Sequence, residues 1–164
     1  MSLSRAIATV FGVGTLRPAP GTWGSLAALP IFYLIHVTGE FPLAVVATCA
    51  IFGLGWWATA EQTRNSLDHD PSEIVIDEVV GQWLALWSIS ASAWRLEIDV
   101  LQLWPGWLTG FALFRLFDIL KPGPVGWADR RQDALGVMLD DVIAGVCAAV
   151  CVVALAAVAH GVLM

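Results

Sequence analysis

The chain has 164 residues, enough for one domain and too few for a separate soluble module of ordinary size. Hydrophobic residues make up 58% and charged residues 13%, against about 25% charged in ordinary soluble domains, so something apolar must cover the surface. The formal net charge of -6 sets nucleic acid aside as a partner, because phosphate backbones call for a basic face. Lipid is the simplest cover, and a mean hydropathy of +0.75 agrees with it.

In chain order, the first apolar stretch, Ala6 to Val13, is short and runs into Gly14, Arg17, Pro18 and Pro20 without a small-residue cleavage pattern, so no cleavable signal is expected. A membrane helix takes about 20 mainly apolar residues. Trp23 to Val37 is short and interrupted by Pro30, and is expected either to span at a tilt or to enter only part way. Phe41 to Ala60 meets the length, and Val142 to Met164 meets it without a charge. Val79 to Trp94 and Trp104 to Ile119 are slightly short but can lengthen into polar flanks. The expected fold is all-α: one domain over 1–164, a polytopic membrane bundle of four to five segments. Trp23, Trp56, Trp57, Trp94, Trp104 and Trp107 fall near predicted ends, where indole rings suit headgroup depth. Trp83 and Trp87, four apart, read as packing, His36 and His160 as packing or interfacial, and the three cysteines as small core or lipid-facing residues.

Charge sets the orientation. If the N-terminus is cytoplasmic and all five segments cross, Arg5, Arg17, Arg64, Lys121, Arg130 and Arg131 lie inside, with Arg115 near the inner end of the fourth span. Arg95 alone of eight basic residues lies outside, as the positive-inside rule asks. Eleven of fourteen acidic residues collect on that same inner side.

Several of these carboxylates stand at membrane boundaries on three helices. Glu73, Asp77 and Glu78 lead into the third span, with Glu73 and Asp77 one helical turn apart; Asp118 closes the fourth; Asp140 and Asp141 open the fifth. Carboxylates gathered at one depth repel and take up protons unless a cation joins them. Hard oxygen ligands favour a divalent cation such as Mg²⁺, which also engages phosphate. Lys121, Arg115 and the stretch Pro20-Gly21-Thr22-Trp23-Gly24-Ser25, with its hydroxyls and backbone N–H groups, supply an anion-binding side. His69 lies in the acidic loop and is a candidate helper. Simpler readings stand beside these: Asp140 or Asp141 as an N-cap, Asp118 paired with Arg115 or Lys121, the glycines as helix starts. Two other classes of function compete, a small membrane cation or proton carrier and an assembly subunit packed through Gly106-x3-Gly110.

No Walker loop, no Gly-x-Ser-x-Gly elbow and no Cys-x5-Arg run occurs. Asp129-x3-Asp133-x2-Gly136-x3-Asp140 partly resembles the acidic motif of CDP-alcohol phosphatidyltransferases but lacks its first paired aspartates. Four other segments carry a closer resemblance: Gly21-Thr22-Trp23-Gly24-Ser25, Glu73 to Gly81, Phe114 to Pro122 and Gly136 to Gly145. In this order they resemble the bacterial phosphatidylglycerophosphatase A family. The resemblance implies a Mg²⁺-dependent enzyme of the inner membrane that converts phosphatidylglycerophosphate to phosphatidylglycerol at the cytoplasmic face, with a membrane phospholipid as its partner. Asp77, Glu78, Asp118, Asp140 and Asp141 would then hold metal, with Glu73 as ligand or base. Lys121, Arg115, Thr22 and Ser25 would bind the phosphate. Water attack and a carboxylate nucleophile both stay open.

Overall fold

The computed structural model of the chain describes residues 2–163 apart from 65, 67 and 69, which form helices and turns with no strand among them. His69 therefore lies outside the described residues. The helices are α1 (Leu3–Ala8), α2 (Pro20–Thr63), α3 (Ile76–Leu96), α4 (Trp104–Leu120), α5 (Pro124–Asp129) and α6 (Ala134–Leu163). Every expected apolar segment lies on one of them, the last as far as Leu163, with Met164 outside the described residues. Two, Pro20–Thr63 and Ala134–Gly161, are long and apolar enough to cross a membrane by length and composition.

The 44 residues of α2 are two limbs. Gly39 (φ -153°, ψ 21°) and Glu40 (φ 55°, ψ -153°) leave helical geometry and reverse the chain between residues 20–38 and 41–63. Contacts with α3 demonstrate the reversal. Along the first limb, Gly24 packs on Val75, the Trp83 indole donates to the Ala28 carbonyl (3.0 Å), and His36 meets Ser90 (2.7 Å). Along the second, Phe41 stacks near Trp94, Trp87 donates to Thr48 (3.1 Å), and Gly55 packs on Ile76. One limb thus runs parallel to α3 and the other antiparallel. Trp23 to Val37 forms a full limb despite Pro30, whose exposed position removes one helical bond without burying the loss.

α3 is the centre, buried through Ile76, Val79, Val80, Trp83, Leu86 and Ile89. Gly106 and Gly110 let α4 approach Ile89 and Leu86 closely, so these glycines serve helix packing inside the chain. The outer faces stay apolar: Leu34, Val46, Leu54, Leu108, Val150 and Val158 are all exposed.

Two boundaries differ from expectation. Glu73 is not on the third helix, which begins at Ile76; the Val75 N–H is taken by the Ala8 carbonyl (2.9 Å) and the Ile74 N–H by that of Pro71 (2.8 Å). α6 begins at Ala134, well before Val142, because Asp133 accepts the Gly136 N–H (2.8 Å) and starts the helix there. Asp140 and Asp141 therefore stand inside a helix, and neither is its N-cap.

Candidate active site

The site is built on the crossing of α3 and α6. A Cβ on Gly145 would overlap the Gly81 carbonyl, and one on Gly81 would lie 2.6 Å from the Asp141 carbonyl. Backbone therefore touches backbone, as only small residues allow. One turn toward each N-terminus, four residues from those glycines, stand Asp77 and Asp141. Glu78 follows Asp77 in the first turn of α3, where acidic groups complement the helix dipole.

None of these three carboxylates forms a direct ion pair among the described residues, where Arg115 is taken by Asp118 and Lys121 by Asp129 and Asp140. One oxygen each from Asp77, Glu78 and Asp141 lies within 4.8 Å of the others. Asp77 Oδ1, Glu78 Oε2 and Asp141 Oδ1 are buried without a hydrogen-bond partner. Three carboxylates at such range cannot all stay ionised unaided, and leaving them unpaired is costly. The donor set is all hard oxygen on two rigid helices, so it fits a hard divalent cation.

The neighbouring acids are placed differently. Asp118 pairs with Arg115 on the preceding turn of α4. Lys121, which ends α4 in the left-handed region at φ 46°, donates to Asp129 and to Asp140 Oδ2, the latter at 2.8 Å. Partial burial lowers the lysine's proton affinity, but the two carboxylates outweigh it and hold its pKa above the usual range. Asp140 Oδ1 also accepts the Asp141 N–H (3.0 Å), so Asp140 is satisfied on both oxygens.

Beside Glu78 stands the start of α2. Pro20 occupies its first turn, and the first helical bond runs from the Trp23 N–H to the Ala19 carbonyl (3.2 Å). The N–H groups of Gly21 and Thr22 precede that bond, as helix starts require. A Cβ on Gly21 would overlap the Glu78 carboxylate and lie 3.1 Å from Arg115 Nη1. Glycine here lets a helix N-terminus, an arginine and a carboxylate share one wall. Between the walls lies a cavity of about 340 Å³, lined by Gly21, Asp77, Glu78, Arg115, Asp118, Lys121, Asp140 and Asp141 among others.

Three of the residues singled out from sequence fall elsewhere. Glu73 points to Arg5 (3.1 Å) on the surface and does not line the cavity. Ser25 is fully buried and donates back to the Gly21 carbonyl (2.9 Å), and Thr22 does not line the cavity either. Both sit inside α2 because the helix starts at Pro20, so its backbone rather than these hydroxyls faces the site. Sequence reasoning missed Asp129, the second partner of Lys121, and Asp70 and Ser72, which line the cavity from the loop before α3. Asp70 heads the acidic run before Pro71, which was a usable signal.

The phosphatidylglycerophosphatase A family pattern matches residues 6–156. A protein named phosphatidylglycerophosphatase A from Haemophilus influenzae is 36% identical over 151 residues, covering 91% of this chain and 86% of its own length. Its namesake from Escherichia coli is 33% identical over 147 residues, covering 87% and 77%. A Bacteroides thetaiotaomicron protein provisionally named phosphatidylinositol-3-phosphatase is 36% identical over 145 residues, covering 85% of each chain. No solved structure matches. With the match running from α1 into α6, and so across every element that builds the carboxylate site, the chain belongs to the phosphatidylglycerophosphatase A family.

Proposed function

We propose that the chain is a Mg²⁺-dependent phosphatase that removes the terminal phosphomonoester of phosphatidylglycerophosphate to give phosphatidylglycerol. It acts as a single domain over 1–164 in the bacterial inner membrane. The observation that carries this reading is the trio Asp77, Glu78 and Asp141, each with a buried carboxylate oxygen that lacks a hydrogen-bond partner, in a cavity that Arg115 and a helix N-terminus also line. Cation-binding and phosphate-binding groups meet there. Family membership and the names of two relatives support the substrate.

Five crossing segments, counting both limbs of α2, bring the site to the cytoplasmic face, a reading supported by seven of eight basic residues on that side. A site at helix ends then meets a headgroup while the acyl chains stay in lipid. A cation or proton carrier fits less well, because the carboxylates gather at one end of the helices instead of along them.

Asp77, Glu78 and Asp141 are the metal-holding residues. Asp118 and Asp140 border them, oriented by Arg115 and Lys121. Bound Mg²⁺ would supply polarisation of the phosphoryl oxygens and acidification of the attacking water. Arg115 has a buried Nε without a partner, and with the Gly21 N–H group it receives the phosphate and steadies the charge spreading over the transferring group. Lys121 neutralises Asp129 and Asp140 and keeps the rim from repelling an anion.

Phosphate release by the purified protein in detergent tests the reading, with phosphatidylglycerophosphate and phosphatidylinositol 3-phosphate offered separately. Release from the first lipid that stops with chelator and returns with Mg²⁺ is expected. Release indifferent to chelator, or confined to the inositol lipid, would overturn it.

A further inference from the structure

The cavity has an apolar lip. Two of its lining residues, Ala19 at the start of α2 and Ile119 in the last turn of α4, are exposed, Ile119 to 65%. α2 and α4 touch at few points, whereas α3 packs along much of α2 and α6. Arg115, Asp118 and Ile119 share one face of α4, so the polar wall passes directly into an outward-facing isoleucine.

From Ile119 the exposed face of α4 continues through Leu116, Ala112 and Leu108, each one turn from the last. At 1.5 Å per residue this stripe runs about 16 Å. Half of a hydrocarbon core is about 15 Å. Across the gap, exposed Trp23, Leu26, Pro30 and Leu34 continue from Ala19 along α2, whereas Val146, Val150 and Val153 on α6 belong to no stripe that reaches the cavity lining.

We propose that the gap between the start of α2 and the end of α4 is a lateral portal, and that Ile119, Leu116, Ala112 and Leu108 form a rail for an acyl chain of the substrate. The inference rests on the phosphatase reading above. A diacyl phosphomonoester enters from one leaflet, lays a chain along α4 and presents its phosphate to Arg115 and the carboxylates. Lifting the chains into water would forfeit their burial, so a sideways entrance is the one a membrane lipid can use. The rail makes long acyl chains part of recognition, in addition to the headgroup.

The test compares kcat/KM for dioleoyl and dihexanoyl phosphatidylglycerophosphate in mixed micelles, in the parent, in a Leu116→Asn, Ile119→Asn double variant and in Leu108→Asn alone. The rail predicts that the long-chain to short-chain ratio falls about tenfold in the double variant, mainly through KM, and severalfold in Leu108→Asn. Val153→Asn, on an exposed face of α6, is the control and keeps the parent ratio. An unchanged ratio in both rail variants, or an equal fall in Val153→Asn, overturns the portal while leaving the phosphatase reading intact. Should the double variant not fold, Leu108→Asn decides by the same ratio. If the parent hydrolyses neither lipid, the phosphatase reading itself falls and the rail with it.

Discussion

Gly81 and Gly145 meet backbone to backbone, and this contact fixes how far apart Asp77 and Asp141 stand one turn away on their helices. The carboxylate site is thus a by-product of a helix crossing. Its spacing is inherited from two residues that carry no chemistry.

A methyl group at that crossing has nowhere to go. Gly145→Ala would press on the Gly81 carbonyl, which is backbone and cannot rotate away. The expected cost is roughly 1–3 kcal/mol of stability, as for other overpacked cores. A fall in thermal midpoint accompanied by at least a tenfold loss of phosphate release is the predicted result. Full activity at the parent midpoint would show that the crossing does not set the site.

Gly21→Ala should behave differently. Its added methyl meets the end of the Glu78 side chain, which can swing aside cheaply. Stability should stay near the parent value while activity drops about tenfold, because Glu78 is displaced from its neighbours. Thermal unfolding beside steady-state rates separates the two glycines: one loses fold and function, the other function alone.

Among the acids, Asp141→Asn should reduce activity by more than a factor of about 100 with the fold retained, and Asp77→Asn likewise. Glu73→Gln should cost less than about threefold, since its pairing with Arg5 is a surface ion pair of small worth. Asp99→Asn should be silent, because asparagine can still accept the Leu101 N–H that Asp99 accepts at 2.9 Å. Equal losses across this series, measured as kcat/KM, would deny the trio any special role.

The orientation is open to a chemical test. Cysteine probes at Arg95 should react with an impermeant reagent from outside intact cells, and probes at Arg64 should not. The reverse pattern would put the carboxylates in the wrong leaflet for a cytoplasmic phosphatase.

Much of this arrangement was legible in the chain. Apolar length located α2, α3, α4 and α6, as where Trp104 to Ile119 became α4 (Trp104–Leu120), but the short α1 and α5 carry no such signal. Acidic residues at segment ends pointed to Glu73, Asp77, Glu78, Asp118, Asp140 and Asp141 as one group, since carboxylates gathered at one depth repel unless a cation joins them. The division of labour was not legible. Whether an aspartate faces a lysine or a cavity depends on where distant helices stop, as Asp129 and Asp140 do around Lys121. Helix starts were misjudged for a similar reason. The spacing of Glu73 from Asp77 suits a shared helix face, while a turn from Pro71 to Ile74 and a hydrogen bond from Val75 to Ala8, 67 residues earlier in sequence, keep that segment out of the helix. Asp133 was unassigned as a cap because Asp140 and Asp141 adjoin the apolar run more closely.

The central claim is that Asp77, Glu78 and Asp141 hold a divalent cation, and the most direct measurement is thermal unfolding of the detergent-solubilised protein against Mg²⁺ at constant ionic strength. A cation that binds the folded site stabilises it by mass action, so the midpoint should rise and saturate. In an Asp77→Asn, Asp141→Asn double variant two of the three ligands lose their charge, and the rise should vanish. Constant ionic strength removes generic screening from the comparison. A saturable gain in the parent, absent from the variant, is the predicted result; an equal gain in both chains, or none in either, would contradict the metal site.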